Sequence, residues 1–254
     1  MSPRLSSFLL ILISGFVLPY SSAQNILTVA AAADLAPLEN DLMLAFHKTH
    51  PDLSVRFVTE ASAALSQQIE NGAPYDVFMS ANAQFVDRLS SFGKLRPDST
   101  RAYAEGRLGL LWRDGKPHKI RDLTAPDIRY IALPNPKLAP YGVAAQQALE
   151  HEGIWKQVQS KVVYGENVRQ TLQMFESGNA DALITADSLL QAKHPDLIPV
   201  EWHRPILQKA GVIAATKQLT AADAFLNFLT GPAAQTIFTR YGFMSPRLTD
   251  ERRH

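Results

Sequence analysis

The chain has 254 residues, 46% of them hydrophobic, and its 25 Lys+Arg against 24 Asp+Glu give a formal charge of +1. Without a basic surplus there is nothing to hold a polyanion, which argues against nucleic acid as a partner. The absence of Cys excludes disulfides, Cys-based zinc sites and Cys nucleophiles, so the fold must rest on its core.

The N-terminus has the pattern of an export signal. Arg4 supplies a positive start, residues 8–17 (FLLILISGFV) an apolar run, and Ser21, Ser22 and Ala23 small residues at the cleavage point. A membrane span needs roughly 20 apolar residues, and this run is too short and is followed by Pro19. Residues 1–23 are therefore expected to be a signal peptide and the mature chain to begin at Gln24, in the periplasm. A lipid anchor is excluded because there is no Cys.

After the signal, strand and helix patterns alternate. Ile26 to Ala32 (ILTVAAA) predicts a strand, and Leu35 to Lys48 a helix with apolar residues at helical spacing. Leu53 to Val58 alternates as a strand, Ala63 to Gly72 is helical and closed by glycine, Asp76 to Ser80 is a buried strand, and Ala83 to Phe92 is a helix. Further on, strands are expected at Arg107 to Trp112, Tyr130 to Leu133, Val162 to Tyr164, Ala182 to Thr185 and Ile206 to Ala215. Helices are expected at Gly142 to Glu152, Val168 to Gly178, Thr220 to Leu229 and Ala233 to Tyr241. This βαβ rhythm predicts an α/β protein with mainly parallel sheets flanked by helices. It fits two lobes but does not place a boundary.

Five stretches then carry a resemblance: TVAAAADL (28–35), SQQIENGAPYDVFMSAN (66–82), NPKLAPYGVAAQQAL (135–149), GENVRQTLQMFESGNADALI (165–184) and FLTGPAAQTIFTRYGF (228–243). In this order and across the mature chain they resemble the periplasmic molybdate/tungstate-binding proteins, with the type II solute-binding fold. The resemblance implies two lobes joined by a hinge, lobe 1 at 25–104 plus 206–250 and lobe 2 at 105–205. It also implies a molybdate or tungstate ligand in the cleft, no cofactor, an ABC permease as partner, a monomer, and no catalysis. Members of the family bind the dianion dry, through N–H groups and hydroxyls at helix starts. Each helix N-terminus carries about half a positive charge and unpaired donors.

Carried onto this sequence, the resemblance makes Asp34, Ser62, Tyr141 and Val168 the ligand-binding candidates, with Gly142 and Asn167 beside them. Ser62 reads either as a ligand donor or as the N-cap of its helix. Asp34 departs from the family, which often has Ser there. As a carboxylate it would repel a dianion by several kcal/mol at about 4–5 Å, even at an effective dielectric constant of about 20, unless it serves only as a cap. Ala186 replaces a Tyr of the family, and Tyr141 is expected to supply a substitute phenol. Glu60, Glu166 and Asp187 bring more negative charge towards the same region. Arg169 is the candidate to neutralise Asp34 or Asp187. An alternative reading is therefore a metal cation or cation complex held by Asp34, Glu60 and Asp187, since hard cations take oxygen ligands. An exported hydrolase is a third reading, but no GxSxG or HExxH supports it. Tyr241 and Phe243 of the RYGF stretch are expected to be structural.

Overall fold

The computed structural model describes residues 25–246 apart from residue 117. The expected signal peptide and cleavage point lie outside these residues. Ten strands form two five-stranded sheets. The first contains β1 (Asn25–Ala32), β2 (Leu53–Glu60), β3 (Val77–Ser80), β4 (Arg101–Gly106) and β10 (Ile206–Val212), in the order β2-β1-β3-β10-β4. The second contains β5 (Leu108–Trp112), β6 (Ile131–Pro134), β7 (Val162–Gly165), β8 (Ala182–Ala186) and β9 (Asp196–Leu197), in the order β7-β6-β8-β5-β9.

Both sheets have the same plan. β1 pairs in parallel with β2 and β3, and β6 does so with β7 and β8. A single strand in each, β10 or β5, pairs antiparallel with both of its neighbours. Four of the five strands in each sheet thus run in one direction, as expected of mainly parallel sheets, and the chain forms two α/β lobes. It passes from the first sheet to the second at Arg107, between β4 and β5, and returns between β9 and β10.

The helices follow from the same local patterns. α1 (Glu39–Thr49) buries Leu42 and Phe46; α2 (Ser62–Glu70) buries Leu65 and Ile69, four residues apart on one face. α2 stops at Gly72, whose φ of 84° few other residues adopt. α3 (Ala83–Ser91) completes the first run. α4 (Pro140–His151) starts on a proline whose missing N–H costs a first helical turn nothing. α5 (Trp155–Val158) and α6 (Val168–Glu176) flank the second sheet, and α7 (Leu219–Thr230) and α8 (Pro232–Arg240) close the first.

The first core includes the fully buried Phe46 and Phe225, whose rings meet edge to face at 5.2 Å. Such a pair adds about 0.5–1.5 kcal/mol beyond its buried area. The RYGF stretch is structural: Tyr241 Oη donates to Asp41 Oδ2 at 2.8 Å, and Phe243 packs edge-on against Phe238.

One boundary differs in a way that matters for the cleft. The expected helix from Leu35 is a 3-10 segment, Ala33–Leu38, before α1 begins at Glu39. Pro37 lies inside that segment, where it can neither donate an N–H nor let a regular α-helix run through. β4, β9 and α5 were not apparent in the sequence. β9 has two residues and α5 four, too short for either period to register.

Candidate functional site

The parallel register places the carboxyl ends of β1, β2 and β3 together, with Ala32 opposite Glu60 and Ala31 opposite Met79. In both sheets the central parallel strand has neighbours that leave in opposite directions, which opens a crevice at the strands' carboxyl ends. The segments after β1, β2 and β3 in one lobe and after β6 and β7 in the other face each other across it. They enclose a cavity lined by Asp34, Ser62, Tyr141, Asn167 and Val168, with Ala32, Ala33, Ala61, Ala81 and Ala139 as small walls. Its volume is about 190 Å³ including the opening. That figure counts open solvent, and only about 10 Å³ of it has room for the centre of a water-sized sphere, so the cleft as it stands is far tighter than the roughly 300–1,000 Å³ usual for organic ligands.

Backbone donors converge there. The first N–H groups of a helix have no intrahelical partner, and at three helix starts some neighbouring donors are already taken. At α2, Ala61 N–H donates to Glu60 Oε1 at 2.9 Å and Ala63 N–H to Leu138 O at 3.3 Å, and among the described residues the N–H groups of Ser62 and Ala64 make no such bond. At α4, Pro140 has no N–H and Gly142 N–H donates to Ala139 O at 2.9 Å, leaving that of Tyr141. At α6, the Asn167 side chain accepts from Arg169 N and Gln170 N, both at 3.0 Å, leaving that of Val168. At each start a residue with such a donor, Ser62, Tyr141 or Val168, lines the cavity.

Ser62 is not a cap. The N-cap of α2 is Ala61, and the Ser62 hydroxyl oxygen instead accepts Ala81 N–H at 3.1 Å. A hydroxyl used as an acceptor keeps its own proton to donate. Ser62 is 2% exposed and lines the cavity.

Asp34 is not a cap either, because the N-cap of the 3-10 segment is Ala32 and no side chain caps it. Its Oδ2 accepts from Tyr141 Oη at 2.8 Å and from Gln208 Nε2. Gln208 Oε1 in turn accepts from Tyr103 Oη at 2.7 Å. Burial pushes the Asp34 carboxyl up to about 6, although the Gln208 and Tyr141 donors pull it down. The Tyr141 phenol is therefore no substitute donor for a ligand, since its single proton points at Asp34.

The other candidates lie elsewhere. Gly142 packs rather than binds: a Cβ there would overlap the carbonyl of Pro134. Glu60, Glu166 and Arg169 line an open depression of about 580 Å³ outside the cavity, which Asn167 also borders. Glu60 Oε1 accepts from Asn167 Nδ2 at 2.8 Å, a bond between the lobes. Asp187 is away from the cavity, in an ion pair with Arg107 Nη2 at 2.8 Å and bonded by Gln191 Nε2 at 2.7 Å. Its neutralising partner is thus Arg107, not Arg169. The cation reading fails on these positions. Asp34, Glu60 and Asp187 point to three different places, and among the described residues no group of three His, Cys, Asp or Glu could hold a metal ion.

Four contributors were not anticipated: Tyr103, Gln208, Arg107 and Ser188. Ser188 Oγ donates to Asp34 O at 2.7 Å, another bond between the lobes. A polar residue in the apolar run of β10 was the available signal for Gln208.

A family model described as bacterial extracellular solute-binding protein matches residues 27–244. The chain belongs to this family. Among its solute-binding relatives, the molybdate-binding protein ModA of Azotobacter vinelandii is 30% identical over 255 residues, covering 96% of this chain and 99% of the relative. ModA of Rhodobacter capsulatus is 29% identical over 248 residues, covering 95% and 96%. The structure of the Azotobacter vinelandii periplasmic molybdate-binding protein superposes with a TM-score of 0.80 at 30% identity, over 87% of this chain and 100% of that one. A sulfate-binding protein of Mycobacterium tuberculosis shares the fold, with a TM-score of 0.73 at 19% identity.

Proposed function

We propose that the chain is the periplasmic binding component of an ABC importer and carries molybdate, or its near-isostere tungstate, in the cavity between its lobes. The observation that carries this reading is the convergence of three unpaired helix-start N–H groups, those of Ser62, Tyr141 and Val168, with the Ser62 hydroxyl. Neutral donors at helix N-termini stabilise an anion without a lysine or arginine in the site, and the full-length similarity to molybdate-binding proteins agrees. In this reading lobe 1 is residues 25–106 plus 206–246 and lobe 2 is 107–205, the expected boundary at 104/105 moving to the crossing at Arg107 because β4 belongs to the first sheet. The protein acts as a monomer whose lobes close on the ligand, and a membrane permease of the importer receives it. The protein binds and releases; it does not catalyse, and it needs no cofactor. A ligand that touches both lobes favours the closed state because it gains its contacts only there.

Titration calorimetry of the mature chain tests this. Molybdate is expected to bind at one site per chain, and magnesium, calcium or zinc to give no heat. Binding of a divalent cation without molybdate would sink the oxyanion reading. Ser62→Ala is expected to weaken molybdate binding by about 1–3 kcal/mol, the range for losing a hydrogen bond to a charged group. Its melting temperature should also fall by a few degrees, because the buried Ala81 N–H loses its acceptor. Equal affinities of the two proteins would remove Ser62 from the site.

A further inference from the structure

The two carboxylate oxygens of Asp34 are in different situations. Oδ2 is saturated by Tyr141 Oη and Gln208 Nε2, while Oδ1 is buried without a hydrogen-bond partner. The residue is 1% exposed and lines the cavity into which the helix-start donors converge. The donors to Oδ2 are fixed in turn. The Gln208 amide is oriented by Tyr103 at its oxygen and lies 3.2 Å from Tyr141 Oη at its nitrogen. A proton on this carboxyl therefore belongs on Oδ1.

The groups around Asp34 supply no charge to balance it. Tyr103 on β4 and Tyr141 on α4 are held well above the usual phenol range by burial, so both stay neutral. Gln208 on β10 and Ser188 after β8 are neutral. Glu60, at the end of β2, is bonded to Ala61 N–H and Asn167; Asp187, after β8, is paired with Arg107; and Arg169 on α6 lines the outer depression. An ionised Oδ1 would set a bare acceptor against a dianion. One proton turns the same contact into a donor and an acceptor.

We propose, resting on the oxyanion reading above, that the cleft takes up one proton from solvent with each dianion it binds, held on Asp34 Oδ1 and donated to a ligand oxygen. The free protein is already close to this state, since burial brings the Asp34 carboxyl to about 6, and a neighbouring dianion raises it further. Above pH 6 the proton must be drawn from solvent, so affinity falls about tenfold per pH unit. Below pH 6 the acid is already formed and the dependence flattens. A binding site made of hydroxyls and N–H groups alone has no such dependence.

The test is titration of the mature protein with sodium molybdate between pH 6 and 8, in HEPES and in Tris, whose ionisation enthalpies differ. Wild type is expected to take up about one proton per molybdate at pH 8 and to bind about a hundredfold more weakly there than at pH 6. Asp34→Asn, and Asp34→Ser if the first variant folds poorly, should bind without proton uptake and with a flat pH profile. Wild-type binding without proton uptake, or uptake that persists in the variants, overturns the proposal while leaving the oxyanion reading intact. No molybdate heat from wild type at any pH overturns both.

Discussion

Asp34→Asn is expected to stabilise the ligand-free protein at pH 8 by about 1–3 kcal/mol and to change its stability little near pH 4. The buried carboxyl of the folded chain sits at about 6 against an ordinary value of 3.8. Between these two values the folded protein binds more protons than the unfolded chain, so stability falls as pH rises through the window and stays low above it. A separation of about two pH units corresponds to about 3 kcal/mol at most. Asparagine removes the charge and keeps an oxygen for Tyr141 and Gln208, at the cost of an amide nitrogen in place of Oδ1. Urea unfolding at pH 4, 6 and 8 measures the difference. A variant that is less stable than wild type at pH 8 would mean that Asp34 is ionised there at no cost.

The second large effect is expected at the crossing between the lobes. Arg107→Met should destabilise the protein by about 3–5 kcal/mol, because it strands the buried Asp187 carboxylate without its partner. Burial already raises the Asp187 carboxyl despite Arg107, so without that partner the acid must either carry a buried charge or take up a proton, and both cost stability at neutral pH. Arg107 Nε also donates to Gly242 O at 2.7 Å, which ties the end of α8 to the crossing. For a chain of this size the loss corresponds to a fall of roughly 6–15 °C in melting temperature. Adding Asp187→Asn to the same chain should restore most of it, since the stranded charge is then gone. A double variant as unstable as the single one would place the cost in the Gly242 contact instead.

Much of the scaffold was legible because its signals are local. The apolar β1, the i, i+4 pair Leu65 and Ile69, and the glycine ends at Gly72 and Gly178 state their conformations within a few residues. The cleft residues Ser62 and Val168 were legible through the family pattern, and their position at helix starts agrees with it. The state of Asp34 was not, because it depends on Gln208, 174 positions away in sequence, and on Tyr103 behind it. Pairing of Asp187 with Arg107 spans 80 positions, a contact that neither a local pattern nor the family pattern, which offered Arg169 for Asp34 or Asp187, reveals. The 3-10 start at Ala33 was readable from Pro37, which bars a regular helix there.

Diffraction from crystals of the mature protein grown with tungstate, with data collected at a tungsten absorption edge, locates the ligand directly. One anomalous peak is expected in the cavity, within hydrogen-bond reach of Ser62 Oγ and of the N–H groups of Ser62, Tyr141 and Val168, with Asp34 Oδ1 facing a ligand oxygen. A peak only in the outer depression beside Glu60 and Arg169, or no bound tungsten at all, would contradict a cleft built to hold an oxyanion.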